Sequence, residues 1–69
     1  MRIKYFEDTD TTLVELSTNP PVETRELNEN IYLDLDSNGN VVSITIEHAS
    51  ISSDMREFLY QRIPAAMAS

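Results

Sequence analysis

The sequence predicts an α+β fold: an antiparallel β-meander of about five strands with one C-terminal α-helix packed on one face. Three observations carry that expectation. Apolar and polar residues alternate through most of the first 48 residues, which is the period of a half-buried strand. The pair Asn38-Gly39 separates the two cleanest alternating runs. Beyond His48 the apolar residues take up helical spacing.

The first run is Arg2-Ile3-Lys4-Tyr5-Phe6, with Ile3 and Tyr5 on one face and the polar turn Glu7-Asp8-Thr9-Asp10 after it. In the second, Thr12, Val14 and Leu16 share a face and Glu15 points the other way. Asn19-Pro20-Pro21 then breaks the chain, because neither proline can donate to a ladder and each biases its predecessor away from helix. Residues 22–27 resume a strand whose charge suits a sheet edge. Ile31, Leu33 and Leu35 alternate with Tyr32, Asp34 and Asp36; Val42, Ile44 and Ile46 alternate with Ser43, Thr45 and Glu47. Asn-Gly between these runs supplies the positive-φ residues of a tight hairpin turn. The expected helix covers 52–63. Ser52 or Ser53 caps it, Asp54 lies near its positive end, Ile51, Met55, Phe58 and Leu59 form one apolar stripe, and Arg56, Glu57 and Gln61 lie off that stripe. Pro64 stops it, and 64–69 is expected to fray.

The 69 residues make one domain. At this size a single core rarely supplies more than about 3–5 kcal/mol. The chain has no cysteine and one histidine, which leaves neither a disulfide nor a zinc site as a staple. Association is the remaining route to stability. Twelve acids against five bases give a net charge of −7, which opposes binding to nucleic acid or to an anionic membrane and favours encounter with a basic protein. The absence of cysteine fits a reducing compartment. The N-terminal residues turn acidic before any apolar run could form a signal peptide. A cytoplasmic location is therefore expected.

Val22-Glu23-Thr24-Arg25-Glu26-Leu27, Ile31-Tyr32-Leu33-Asp34-Leu35-Asp36, Gly39, Val41-Val42, Ile44, Ile46 and Ala49-Ser50 together form a recognisable pattern. So does the opening with Tyr5, Asp8, Asp10, Val14, Leu16 and Ser17. The pattern resembles the YuzE-like family of small bacterial proteins (domain of unknown function 2283) over roughly residues 2 to 51. Ser43 stands where that family usually has glycine, and Leu13 where an aromatic is frequent. The resemblance implies a β-meander with a C-terminal helix and no established activity. Some members have been proposed as antitoxin-like partners of small toxins.

No catalytic, metal or cofactor constellation stands out. Asp34, Asp36, Asn38 and Gly39 match the opening of a calcium-binding loop, but the position of its closing glutamate holds Thr45 and the flanks are strands. A hairpin turn accounts for them. Asp8 and Asp10 would join Asp34 or Asp36 in a weak divalent site only if the loops converge. His48 is read as a half-buried histidine near the sheet–helix junction, and Ser50, Ser52 and Ser53 as caps. The candidate partner-binding residues are Glu23, Arg25, Tyr32 and Asp34, with Arg25 also expected to pair with a carboxylate on a neighbouring strand.

Width supplies one more expectation. Five strands about 4.8 Å apart make a sheet roughly 20 Å across, whereas one helix covers a stripe of about 10 Å. Either the sheet curls around the helix, or a second molecule covers the remainder. A homodimer or a basic protein partner is expected, in a non-enzymatic interaction module that could be an acidic antitoxin-like protein. The alternative is a small enzyme or divalent-metal module using the acidic loops and His48.

Overall fold

Each alternating run forms a strand. The computed structural model describes residues 1–55 and 57–65. Among these lie β1 (Arg2–Phe6), β2 (Thr11–Glu15), β3 (Glu23–Asn28), β4 (Ile31–Leu35), β5 (Val41–Ile46) and a short helix α1 (Ala49–Ser52). The strands form one antiparallel sheet in the order β1-β2-β5-β4-β3. The run β3–β4–β5 is a meander, and the β1–β2 hairpin joins it through β2 and β5. The connection over residues 16–22 therefore passes the ends of β5 and β4 to reach the far edge. It is tied there by the amides of Leu16 and Ser17, which donate to Val42 O (2.8 and 3.2 Å), and by that of Val22, which donates to Leu35 O (2.8 Å).

The register assigns the faces. Ile3 lies opposite Val14, Val14 opposite Ile44, and Ile44 opposite Leu33, with Leu33 opposite Arg25 on the edge strand. Tyr5, Thr12, Ile46 and Ile31 form the next row of the same face. Cross-strand partners share a face, so this is the apolar side. The other side carries the rows Arg2, Glu15, Ser43, Asp34, Thr24 and Lys4, Leu13, Thr45, Tyr32, Glu26. The alternation expected from the sequence holds in every strand.

Two bulges adjust it. Leu35 pairs with Val41, leaving Val42 as the extra residue of β5, and Leu27 is the extra residue of β3. The β4–β5 turn also differs from the expectation. Only Gly39 has a positive φ (+81°), not Asn38. The Gly39 amide donates to Asp36 O (3.0 Å) and the Asp36 amide to Asn40 O (2.9 Å), giving a three-residue loop that ends in a left-handed glycine. The Asp36 carboxylate selects this form by accepting the amides of Asn38 and Asn40, both at 2.9 Å.

The largest departure is the helix. It covers Ala49–Ser52, and the described residues of the expected 52–63 span beyond Ser52 are not helical. Phe58, Leu59, Tyr60 and Ile63 remain 68–74% exposed. The apolar stripe is present in the sequence, but a helix this short is marginal until tertiary packing holds it. Ser52 and Ser53 do not cap a following helix. Their hydroxyls donate backwards to the carbonyls of His48 (2.9 Å) and Ala49 (2.8 Å), closing α1, and Ser53 is extended. Arg56 and the tail from 66 onward lie outside the described residues.

The core is accordingly thin. Leu35, Val42 and Ala49 are the buried hydrophobic residues among those described. Ile31, Leu33, Ile44, Ile46 and Val14 are only half-buried, while Ser43, on the polar side, is 8% exposed. Burial does not follow the alternation here, because Ser43 lies on the central strand in a hollow that the 17–21 connection helps to line. On the apolar side Met55 covers Thr12, which is 3% exposed, while Val14, Leu33 and Ile44 are left half-buried.

Candidate interaction surface

The two ends of the sheet are fastened by two aspartates. Asp10 takes a left-handed backbone (φ 52°) at the end of the β1–β2 turn. Its carboxylate accepts the Tyr5 hydroxyl (2.6 Å), the Ser50 hydroxyl (2.7 Å) and the Ser50 amide (3.1 Å), and its carbonyl accepts the Ala49 amide (2.9 Å). Asp10 thus caps α1 from forty residues upstream in the chain. The Tyr5 and Ser50 hydrogen bonds hold its carboxyl below the usual range, and the same bond from Tyr5 raises the Tyr5 phenol.

Asp36 does the equivalent at the opposite end. Besides the two turn amides, it accepts Asn19 Nδ2 at 3.1 Å, which ties the crossing connection to the β4–β5 turn. The Asn40 amide leads in lowering its carboxyl, against the opposing effect of burial.

The acidic loops do not converge. Asp10 sits where β2 begins and β5 ends, whereas Asp34 and Asp36 sit where β4 ends and β5 begins. Among the described residues no group of three or more His, Asp or Glu side chains is placed to hold a metal ion. The calcium-like spelling of residues 34–39 is the chemistry of a sheet and a turn. Asp34 accepts the hydroxyls of Thr24 and Ser43, its neighbours on β3 and β5, both at 2.7 Å.

His48 is exposed rather than half-buried. The chain reverses at it through a left-handed backbone (φ 52°) that starts α1, so the ring leaves the sheet. Its Nδ1 lies 3.1 Å from Asn30 Oδ1, the geometry of a ring N–H donating to that amide oxygen. Ser50 donates to Asp10, so the histidine and the serine hydroxyl are not hydrogen-bonded to each other.

The four candidate partner-binding residues divide between the two faces. Glu23 and Arg25 lie on edge strand β3 on the apolar side; Tyr32 and Asp34 lie on β4 on the polar side. Arg25 does not pair across strands. It donates to Glu23 of its own strand (3.0 Å), because its cross-strand partner is Leu33 and that of Glu23 is Leu35. The negative charge of Glu47 leads in raising the Tyr32 phenol, with Glu26 adding to it. Lys4 pairs with Glu15 at 2.9 Å across the β1–β2 ladder and lowers the Glu15 carboxyl.

Sequence reasoning missed three participants. Thr24 and Ser43 clamp Asp34, and Ser50 completes the Asp10 cap. The first two become legible once the strand register is known, since all three side chains fall in one row. Nothing local in the sequence joins Ser50 to Asp10.

The arrangement as a whole is a sheet with one acid-rich face and one apolar face on which Ile3 and Tyr5 are exposed and Val14, Leu33 and Ile44 half-buried. Among the described residues no helix is long and apolar enough to cross a membrane. No curated protein and no solved structure matches the chain significantly. A family profile does match, over residues 2–50, and its description is a protein of unknown function (DUF2283). The match spans the whole sheet and the start of α1, and on that ground the chain belongs to the DUF2283 family.

Proposed function

We propose that this chain is a non-enzymatic protein-interaction module whose working surface is the apolar face of the sheet. One observation carries the reading. Ile3, Val14, Ile44 and Leu33 cross four strands in one row, yet none of them is buried. Contiguous exposed apolar surface of this kind marks interaction sites in soluble proteins. Leu33→Lys places a charge in the middle of the row, and Thr45→Lys places the same charge on the opposite face. The reading expects the first to abolish association of the protein and the second to preserve it. Equal behaviour of the two variants refutes it.

A second reading concerns the other face. Glu15, Glu26, Asp34 and Glu47 are carried there against Arg2 and Lys4, and the net charge is −7. This supports an acidic, antitoxin-like partner of a small basic protein, bound through charge. Such a complex weakens steeply as salt rises, and salt-insensitive binding contradicts it.

A further inference from the structure

We infer that the occupant of the apolar face is a second copy of this chain, the two sheets packing face to face. The inference rests on the interaction reading above and names the partner it leaves open.

Exposure is the first argument. On the apolar face Ile3 and Tyr5 are 39% and 40% exposed, and Val14, Leu33 and Ile44 beside them are only half-buried.

Charge selects the occupant. On β1, β2, β4 and β5 the apolar face presents Ile3, Tyr5, Val14, Ile31, Leu33, Ile44 and Ile46, none of them ionised at neutral pH, with Thr12 buried beneath Met55. A basic partner would find no counter-charge there. A second copy brings an equally uncharged face and leaves the acids of both wet faces outside, separated by two sheets with an inter-sheet spacing of about 10 Å. The ions bordering this face are Asp10, whose carboxylate is taken up by Tyr5 and Ser50 at the β1–β2 turn, and Glu23 and Arg25, at the β3 margin. With the two-fold axis running across the strands, β3 lies over the β3 of the second copy. Arg25 of each then meets Glu23 of the other. A surface carrying one acid and one base side by side is self-complementary, as a two-fold interface requires.

Sedimentation equilibrium of the native chain at micromolar concentration tests this, with four variants. The native chain and Thr45→Lys are expected at twice the 7.9 kDa mass. Leu33→Lys is expected to dissociate at least about tenfold more readily, because a buried unpaired charge is costly. Arg25→Glu weakens the dimer, and the exchange Glu23→Arg with Arg25→Glu restores it. Because Leu33→Lys could instead unfold the chain, a cysteine scan runs beside it. The native sequence has no cysteine, so Ile44→Cys and Thr45→Cys each carry a unique thiol. A short bis-maleimide is expected to link two Ile44→Cys chains and not two Thr45→Cys chains. A dimer linked through Thr45→Cys overturns the inference. So does a native monomer that still binds a different protein through Leu33, although the interaction reading then survives. A native monomer whose every association ignores Leu33→Lys overturns both. Failure of the charge exchange to restore the dimer overturns the two-fold alignment.

Discussion

Replacing Gly39 by alanine isolates a single physical quantity. A Cβ built at this position meets no atom within 4 Å, so neither clash nor lost packing enters. The backbone conformation is what remains: φ is +81°, in the left-handed region where an L-side chain costs roughly 1–2 kcal/mol. Alanine also restricts the unfolded chain, which returns about 0.4–1 kcal/mol. The net expectation for Gly39→Ala is a loss of about 1 kcal/mol. For a domain of this size that lowers the melting temperature by about 4–8 °C. Gly39→Asn should lose less, because asparagine tolerates the left-handed region. Urea and thermal unfolding followed by circular dichroism give both numbers, at a fixed protein concentration because association contributes to apparent stability. An alanine variant as stable as the native chain would refute the turn geometry. So would a loss above about 3 kcal/mol, which exceeds what backbone strain at one residue supplies.

Leu35→Ala removes one of the few buried hydrophobic side chains and should cost about 2–5 kcal/mol, enough to unfold much of the population in a thermal melt of a dilute sample. The Asp10 carboxyl should titrate below the usual range, and Tyr5→Phe should move its pKa up when followed by carboxyl carbon NMR. Because the folded-state value is the lower one, the stability Asp10 lends is complete above the ordinary carboxylate pKa. It is lost as the pH falls through the lowered value. Tyr5 runs the other way: its contribution is present below pH 10.0, its ordinary value, and is lost as the pH rises through the raised one. Asp36→Ala should speed amide hydrogen exchange at Asn38 and Asn40, and release of the Asn19 side chain should show in its own NMR shifts.

The sheet was largely legible in the chain. A period-two run admits one assignment of side chains to faces, so Ile3, Val14, Leu33 and Ile44 could be grouped before any pairing was known. The insertion of β5 beside β2 was not legible, since local pattern says which face a strand buries and not which strand it joins. The extent of the helix is not legible for a related reason. The stripe Ile51, Met55, Phe58, Leu59 is a genuine helical pattern, but its formation depends on a surface to pack against. Met55 does touch the sheet, accepting the Thr12 hydroxyl at 3.3 Å, whereas Phe58 and Leu59 stay exposed. The candidate site was half legible. Glu23 and Arg25 share a face as their spacing requires, yet Arg25 pairs within its own strand because the residues opposite the two are leucines. Tyr32 and Asp34, candidates alongside them, lie on the opposite side because of the pleat.

The apolar surface requires Ile44 to stand between Val14 and Leu33 with Phe58 and Leu59 turned to solvent. Methyl-labelled nuclear Overhauser spectroscopy at low protein concentration reads this out. Strong contacts from Ile44 to Val14 and Leu33, with none to Phe58 or Leu59 of the same chain, are the expected result. Intramolecular contacts from Ile44 to Phe58 would mean that the chain closes its own apolar face, and the surface on which the function is built would not exist.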